Sequence, residues 1–342
     1  MTSVKGWIAV QGRRVVVQGP GRAACESFPV DEADGRAVWI RPHHTLISAG
    51  TEGAAFRNAT GHERYPQRVG YAAVGEVVRE GSAFPDVRRG DMVFTYAAHQ
   101  DPAPARGLCV PLPAGLSSRQ AVFARLATVA MTALRVSAVE LGDHVVVLGQ
   151  GVVGNLCAQL FQLAGAEVLV ADPVAARLDT AAACGVRQCV LATDPDAVRQ
   201  AVRDFTGGRG AEATVEAVGR PELVAQAMAV TGPLGEVILL GSPRGAHEAD
   251  VTPLLESVHL WDRGCITLKG AHEWRYPVRQ AAGPGCKHSL ERNSGIALRL
   301  IAGGRLAVEP LCTHVLDPGR AQEAYEGLRD HPDTHLGVLF AW

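Results

Sequence analysis

Short apolar runs broken by glycine and proline occupy the first 130 residues or so of the chain. WIAV, RRVVVQG, AVWIRP, YAAVGEVVREG, DMVFTYA and GLCVPLP alternate or are β-branched, so each reads as a strand between turns. Gly81, Pro85 and Gly90 punctuate VREGSAFPDVRRGDMV as a β-turn passage. The period changes near residue 118. SSRQAVFARLATVAMTALRVSA carries apolar residues at helical spacing behind the capping candidates Ser117 and Ser118.

From there strands and helices alternate. HVVVLG, EVLVAD, RQCVLA, AEATVEAVG, EVILLG and CITLKG read as strands. VVGNLCAQLFQLAG, PVAARLDTAAACG, DPDAVRQAVRDFTGG and PELVAQAMAVTG read as the helices between them. That rhythm predicts an α/β fold: a mostly-β first domain, then a doubly wound parallel sheet of six strands. Beyond Glu273 a Gly/Pro-rich loop leads to the helix IALRLIAGG, the strand EPLCTHVL, the helix AQEAYEGLRD and the strand LGVLFAW, which are expected to return to the first domain. The expected division is a catalytic domain over 1–130, completed by 274–342, and a cofactor domain over 131–273.

Composition narrows the partners. With 342 residues, 47% hydrophobic and 20% charged, and a formal net charge of −2, the chain has the make-up of an ordinary globule. Nothing in it favours nucleic acid or an anionic membrane. The opening MTSVKGWIAVQGRRVVVQG lacks the continuous apolar centre of a signal peptide, and no apolar run approaches about 18 residues, so a soluble cytoplasmic protein is expected. The eight cysteines contain no C-x-x-C pair and read mostly as small buried hydrophobes.

The first chemical motif is Gly149-Gln150-Gly151-Val152-Val153-Gly154, directly after HVVVLG and opening a helix. That context makes a G-x-G-x-x-G a dinucleotide site: one glycine for the turn, one for the approach of the pyrophosphate, one for helix packing. Asp172 ends the next strand, where an acid accepts from the adenosine ribose and favours NAD over NADP. It also suits the N-cap of the following helix. Arg177 nearby could compensate a 2′-phosphate, so NADP stays possible.

With SAGTE, RVGYAAVGEVV, GDMVF, VEAVG, GPLGEVILLGSP, LKGAHE and EAYEGL…LGVLF in this order, the chain resembles the medium-chain dehydrogenase/reductase superfamily, the zinc-type alcohol and polyol dehydrogenases, over essentially its whole length. The resemblance implies a GroES-like catalytic domain formed by both chain ends around a Rossmann domain, with the active site between them. It implies that Leu240, Gly241, Ser242, Gly270 and Ala271 line the nicotinamide, that Val218 and Gly219 border the adenosine side, and that the last strand of the cofactor sheet pairs subunits into a homodimer.

Zinc-dependent members place metal ligands where this chain carries Ala49, Tyr71 and Arg125. Alanine, tyrosine and arginine do not compose a tetrahedral N/S site, so no catalytic zinc is expected. The four-cysteine structural zinc loop is missing as well, and Gly61-His62-Glu63 and His43-His44 read as surface loop. The SAGTE and GY segments resemble a zinc-lacking branch that includes bacteriochlorophyllide dehydrogenases; the expectation taken from it is the lack of metal.

Without a metal, side chains must take charge from the reacting oxygen. Tyr71 is the first candidate acid–base group, or else it fills the vacated zinc volume. Arg125 would lower its pKa or bind an anionic substrate, if it does not point to solvent. Thr51 matches the family's proton-passing hydroxyl. Glu52 could pair with Arg125, orient a substrate hydroxyl, or be a buried structural acid. His272, and more weakly His288, are further acid–base candidates. The expected reaction is zinc-independent NAD(P)-linked interconversion of a secondary alcohol and a ketone, on a polyol, sugar or cyclitol-like molecule. The alternatives are reduction of an activated C=C bond, as in enoyl and quinone reductases, or an NAD-retaining epimerase, lyase or sensor without net turnover.

Overall fold

A computed structural model describes residues 11–30, 35–279 and 285–342. The WIAV segment and part of the loop after Glu273 lie outside the described residues. The protein is α/β, with a mixed sheet and a wholly parallel sheet beside a small antiparallel one.

The chain opens with a hairpin of β1 (Gln11–Gly19) and β2 (Arg22–Pro29). β2 is not legible from its residues, because RAACESFP is poor in β-branched and aromatic side chains; the ladder with β1 supplies the conformation. β3 (Val38–Leu46) follows, then α1 (Thr51–Arg57), β4 (Ala73–Arg79), β5 (Met92–Thr95) and β6 (Cys109–Pro111). At seven residues, α1 is too short to reveal a helical period.

The helix expected over SSRQAVFARLATV is two pieces. Ser117 caps Ser118–Ala121 by accepting from the Gln120 N–H at 3.2 Å, and α2 (Ala124–Val136) starts after a break at Val122-Phe123.

The alternating strands and helices build the cofactor sheet as expected. β7 (His144–Leu148), β8 (Glu167–Asp172), β9 (Gln188–Leu191), β10 (Ala211–Glu216), β11 (Thr231–Leu239) and β12 (Thr267–Gly270) are all parallel, in the order β9-β8-β7-β10-β11-β12. The order reverses beside β7, so its C-terminal end opens a crevice, with α3 (Val152–Leu163) beginning there. Residues 252–259 add a helix that periodicity missed; none of its side chains is buried.

The chain then forms α4 (Leu290–Ala302), which begins earlier than IALRLIAGG because Ser289 caps it. The last elements are β13 (Cys312–Leu316), α5 (Ala321–Asp330) and β14 (Gly337–Ala341). β14 pairs antiparallel with β3 and parallel with β13, so the chain's end completes the mixed sheet that β3 opens. One core cluster runs from Leu46 and Phe94 through Phe123 and Met131 of the α2 region to Val147 and Phe161, so α2 packs the two sheets together. Among the described residues no helix is long and apolar enough to cross a membrane.

Candidate active site

The glycine motif sits at the crevice with each glycine in a distinct environment. Gly149 has φ +94°, and a Cβ there would lie 2.4 Å from a Val218 methyl. At Gly154 a Cβ would lie 1.9 Å from the Gly149 carbonyl oxygen, so only hydrogen lets α3 pack this close. Gly151 is different: a Cβ there would meet open space. α3 starts at Val152 with no side-chain cap and no acid in its first turn, and Val153 is half-buried beside it. An open approach to an uncapped helix start is what an external anion needs.

Neighbouring strand ends close the same edge. Glu216 accepts from the N–H groups of Val218 and Gly219, both at 2.8 Å, and its main-chain oxygen accepts from Leu240 and Gly241. Gly219 lies against the Ser242 carbonyl, and the Ala271 N–H bonds to Leu239. Val218, Gly219, Leu240, Gly241, Ser242, Gly270 and Ala271 thus stand along the C-terminal ends of β10, β11 and β12. Glu216 went unread as a cap, although an acid just before a glycine turn is a signal for one.

Asp172 is buried and accepts from the Gln150 N–H at 2.6 Å and the Val174 N–H at 2.8 Å, with the Arg177 guanidinium at 3.7 Å. It therefore ties the glycine loop to β8 as well as capping the following segment. Arg177 also donates to the Pro332 carbonyl at 3.1 Å, so the charge nearest Asp172 is already engaged.

Tyr71 precedes β4 and Thr51 opens α1; the phenol hydroxyl donates to the Thr51 hydroxyl at 3.4 Å, a long and weak bond. Arg125, in the first turn of α2, lies under the Tyr71 ring, its guanidinium carbon 4.3 Å from the ring centroid. It is 4.2 Å from the centroid of Tyr96. The buried guanidinium is sandwiched between two aromatic faces and forks onto the buried carboxylate of Glu273, with one N–H donated at 2.6 Å and a second to the other oxygen.

Burial pushes the Tyr71 phenol above its ordinary pKa; Arg125 pulls it down as expected, but by less. For Arg125 itself, burial opposes the charge, but Tyr96, Glu273 and Tyr71 outweigh it.

Glu52 does not meet Arg125. It turns inward, accepting from the Ser48 N–H at 2.8 Å, from the Tyr325 hydroxyl at 2.7 Å, and sharing a 2.9 Å hydrogen bond with His99 Nε2. All three side chains are buried, so Glu52 anchors the turn carrying Thr51 from below. His272 is exposed beside this assembly, and His288 packs on Tyr276 and Arg292 instead. Sequence reading missed Tyr96, His99, Glu273 and Tyr325, which come from distant segments. It also missed Arg244, whose guanidinium bonds to the Gly50 carbonyl at 2.6 Å across the cleft.

At the three positions where zinc-type relatives place ligands, the side chains are a methyl (Ala49), a phenol (Tyr71) and an engaged guanidinium (Arg125). Among the described residues no three His, Cys, Asp or Glu side chains are grouped to hold a metal ion. His43 is exposed, and His44 shares a 2.9 Å hydrogen bond with Ser118. Only four of the eight cysteines are buried, fewer than expected. Burial lifts the thiols of Cys109 to about 12 and Cys184 to about 11, so neither is a thiolate near neutrality.

Residues 152–281 match the zinc-binding dehydrogenase family. A zinc-type alcohol dehydrogenase-like protein of Haemophilus influenzae is 23% identical over 95% of this chain and 97% of its own. The chain belongs to the medium-chain dehydrogenase/reductase superfamily. Within the superfamily, human sorbitol dehydrogenase is 24% identical over 91% of both chains. A protein from Escherichia coli CFT073 described as a short chain alcohol dehydrogenase, solved with NADH, shares the fold with a TM-score of 0.78 at 15% identity, over 97% of this chain and 99% of that one.

Proposed function

We propose that this superfamily member is an NAD(P)-dependent oxidoreductase that interconverts a secondary alcohol and a ketone without catalytic zinc, on a polyol, sugar or cyclitol-like molecule. The observation that carries it is the Tyr71–Arg125–Glu273 stack at the positions where a metal would be held. A buried guanidinium repels a second cation, and neither an alanine nor an engaged arginine offers a lone pair, so the donor set does not fit zinc.

The bound nicotinamide would accept or deliver the hydride. Gly151 and the start of α3 would receive its pyrophosphate, and Asp172 its adenosine ribose. Leu240, Gly241, Ser242, Gly270 and Ala271 would border the ring, with Val218 and Gly219 towards the adenosine. Tyr71 would donate a hydrogen bond to the substrate oxygen as charge builds there, and Thr51, its present weak partner, would take the hydroxyl's place in the relay. The polyol class is supported by the sorbitol dehydrogenase among the relatives and by the polar rim of Thr51, Tyr71 and His272. A protonated phenol also serves an enolate oxygen, so reduction of an activated C=C bond is the second reading. A screen of polyols, cyclic ketones and enones, followed at the nicotinamide absorbance band, separates the two; activity on enones alone would overturn the first.

A homodimer is part of the proposal. β12 is an edge strand of its sheet, and Leu255, Val258 and Trp261 (86% exposed) just before it and Leu268 within it are exposed apolar side chains. Light scattering should return about twice the 36.1 kDa of one chain; a monomer at micromolar concentration would contradict it.

A further inference from the structure

We propose that Glu273 is a positioning residue that keeps Tyr71 a neutral hydrogen-bond donor, by holding the Arg125 guanidinium flat against its ring and cancelling its charge. The inference rests on the reading of Tyr71 as the acid and adds a direction: at neutral pH the site is built to give a proton to a carbonyl rather than to take one from an alcohol.

The geometry has three parts. Arg125 lies between the faces of Tyr71 and Tyr96, at 4.3 and 4.2 Å. A cation over a ring face attracts that ring more strongly once the phenol has ionised, so Arg125 alone would favour tyrosinate. Glu273 grips the same guanidinium through both oxygens, so the stack as a whole carries no net charge. Of its other neighbours, the hydroxyls of Ser48 and Thr51 hydrogen-bond the Tyr71 phenol and favour its ionised form, and Glu52 opposes them. Thr128 lies 3.4 Å from an Arg125 nitrogen and 3.1 Å from the Tyr96 hydroxyl, and both contacts are neutral. From α1, Thr51 meets the Tyr71 hydroxyl, and Glu52 adds negative charge that further disfavours tyrosinate while bound to His99 and Tyr325. On the Glu273 side, His272 is exposed, Trp274 meets Tyr96 edge-on at 6.3 Å, and Arg275 is turned to the Gly270 carbonyl.

A buried ion pair is a poor stabiliser compared with apolar side chains of similar volume, so stability alone does not account for it. Its placement does. Glu273 lies three residues past the end of β12, close in the chain to the strand end proposed to border the nicotinamide, while Tyr71 leads into β4 of the mixed sheet. The pair therefore fixes the acid relative to the cofactor edge and sets its charge state together.

The test is the tyrosinate absorbance of the full chain titrated with alkali, in wild type and Glu273→Gln. Each is paired with its Tyr71→Phe counterpart, so that the Tyr71 step is obtained by difference. Glutamine keeps an acceptor for Arg125 but loses the charge, so the ionisation constant of Tyr71 should rise at least tenfold. Glu273→Asp, which keeps the charge, should leave it near wild type. A Tyr71 step that does not move in Glu273→Gln, or moves equally in both variants, overturns the proposal. If Glu273→Gln does not accumulate folded protein, Arg125→Met in that background removes the unpaired cation. Its Tyr71 step must then lie at or above the wild-type position, and a lower one also overturns it. The titration requires no substrate: unchanged turnover in Tyr71→Phe would sink the catalytic reading alone, and an unmoved step would sink the role of Glu273 alone.

Discussion

The Arg125 guanidinium carbon stands 4.3 Å from the centre of the Tyr71 ring, yet the phenol's pKa lies above its ordinary value, because loss of water outweighs the neighbouring cation. The hydroxyl has only hydroxyl partners, Ser48 and, at a long 3.4 Å, Thr51, and either can give way to a substrate oxygen. Tyr71→Phe keeps the ring, and with it the stack on Arg125, but removes the donor. Turnover should fall about 100-fold or more, the usual range for a general acid, with little change in NADH affinity. Comparable losses in turnover and in cofactor binding would return Tyr71 to a packing role.

Metal content is the second test. Ala49, Tyr71 and the engaged Arg125 offer a zinc ion no set of thiolate, imidazole or carboxylate ligands. Protein purified without chelator should contain far less than one zinc per chain by elemental analysis, and prolonged dialysis against chelator should leave the hydride-transfer rate unchanged. Stoichiometric zinc whose removal abolishes activity would show that other ligands have been overlooked.

What could be read in advance follows the range of the forces involved. The cofactor sheet was legible because apolar runs such as HVVVL, EVLVA and EVILL alternate with helical segments, and Gly154 answers a local need: a Cβ there would lie 1.9 Å from the Gly149 carbonyl oxygen. Tyr71, Arg125 and Thr51 were legible by position, and the structure brings them together. Their partners were not. Glu273 is 148 residues from Arg125, and Tyr325 is 273 residues from Glu52, so nothing local reports either pairing. Of the roles open to Glu52, the structure takes that of a buried structural acid rather than the pairing with Arg125, because a buried acid goes to whichever donors folding brings to it, here His99 and Tyr325.

Cofactor preference tests the glycine loop. Asp172 holds the Gln150 and Val174 N–H groups with its two carboxylate oxygens, and the proposed function puts an adenosine ribose beside it. Asp172→Asn keeps an acceptor for one of those groups and removes the charge. The ratio of NADP to NAD efficiency should rise by about ten- to a hundredfold, the equivalent of one charge-assisted hydrogen bond, with a modest fall in melting temperature. An unchanged ratio would place ribose recognition elsewhere, with Arg177 the next residue to replace.

The buried triad of Glu52, His99 and Tyr325 leads to a prediction about alkaline stability. Burial, then the Glu52 charge and the hydrogen bond donated to it, hold the Tyr325 pKa well above 10 in the folded protein. The unfolded chain releases that proton near pH 10, so the stabilisation is complete below pH 10 and is lost as pH climbs towards the folded value. Each such tyrosine should cost about 1.4 kcal/mol per pH unit in that window. Tyr325→Phe removes this contribution and the bond to Glu52 together. At pH 8 the variant should be less stable than wild type by about 1.5–3 kcal/mol, the worth of a hydrogen bond to a charged group. Above pH 10 the gap should narrow, because only the wild type still has that proton to lose. Urea denaturation from pH 8 to 11 measures both ends. A gap that stays constant over the whole range would mean that Tyr325 does not keep its proton in the folded state beyond the pH at which the unfolded chain loses it.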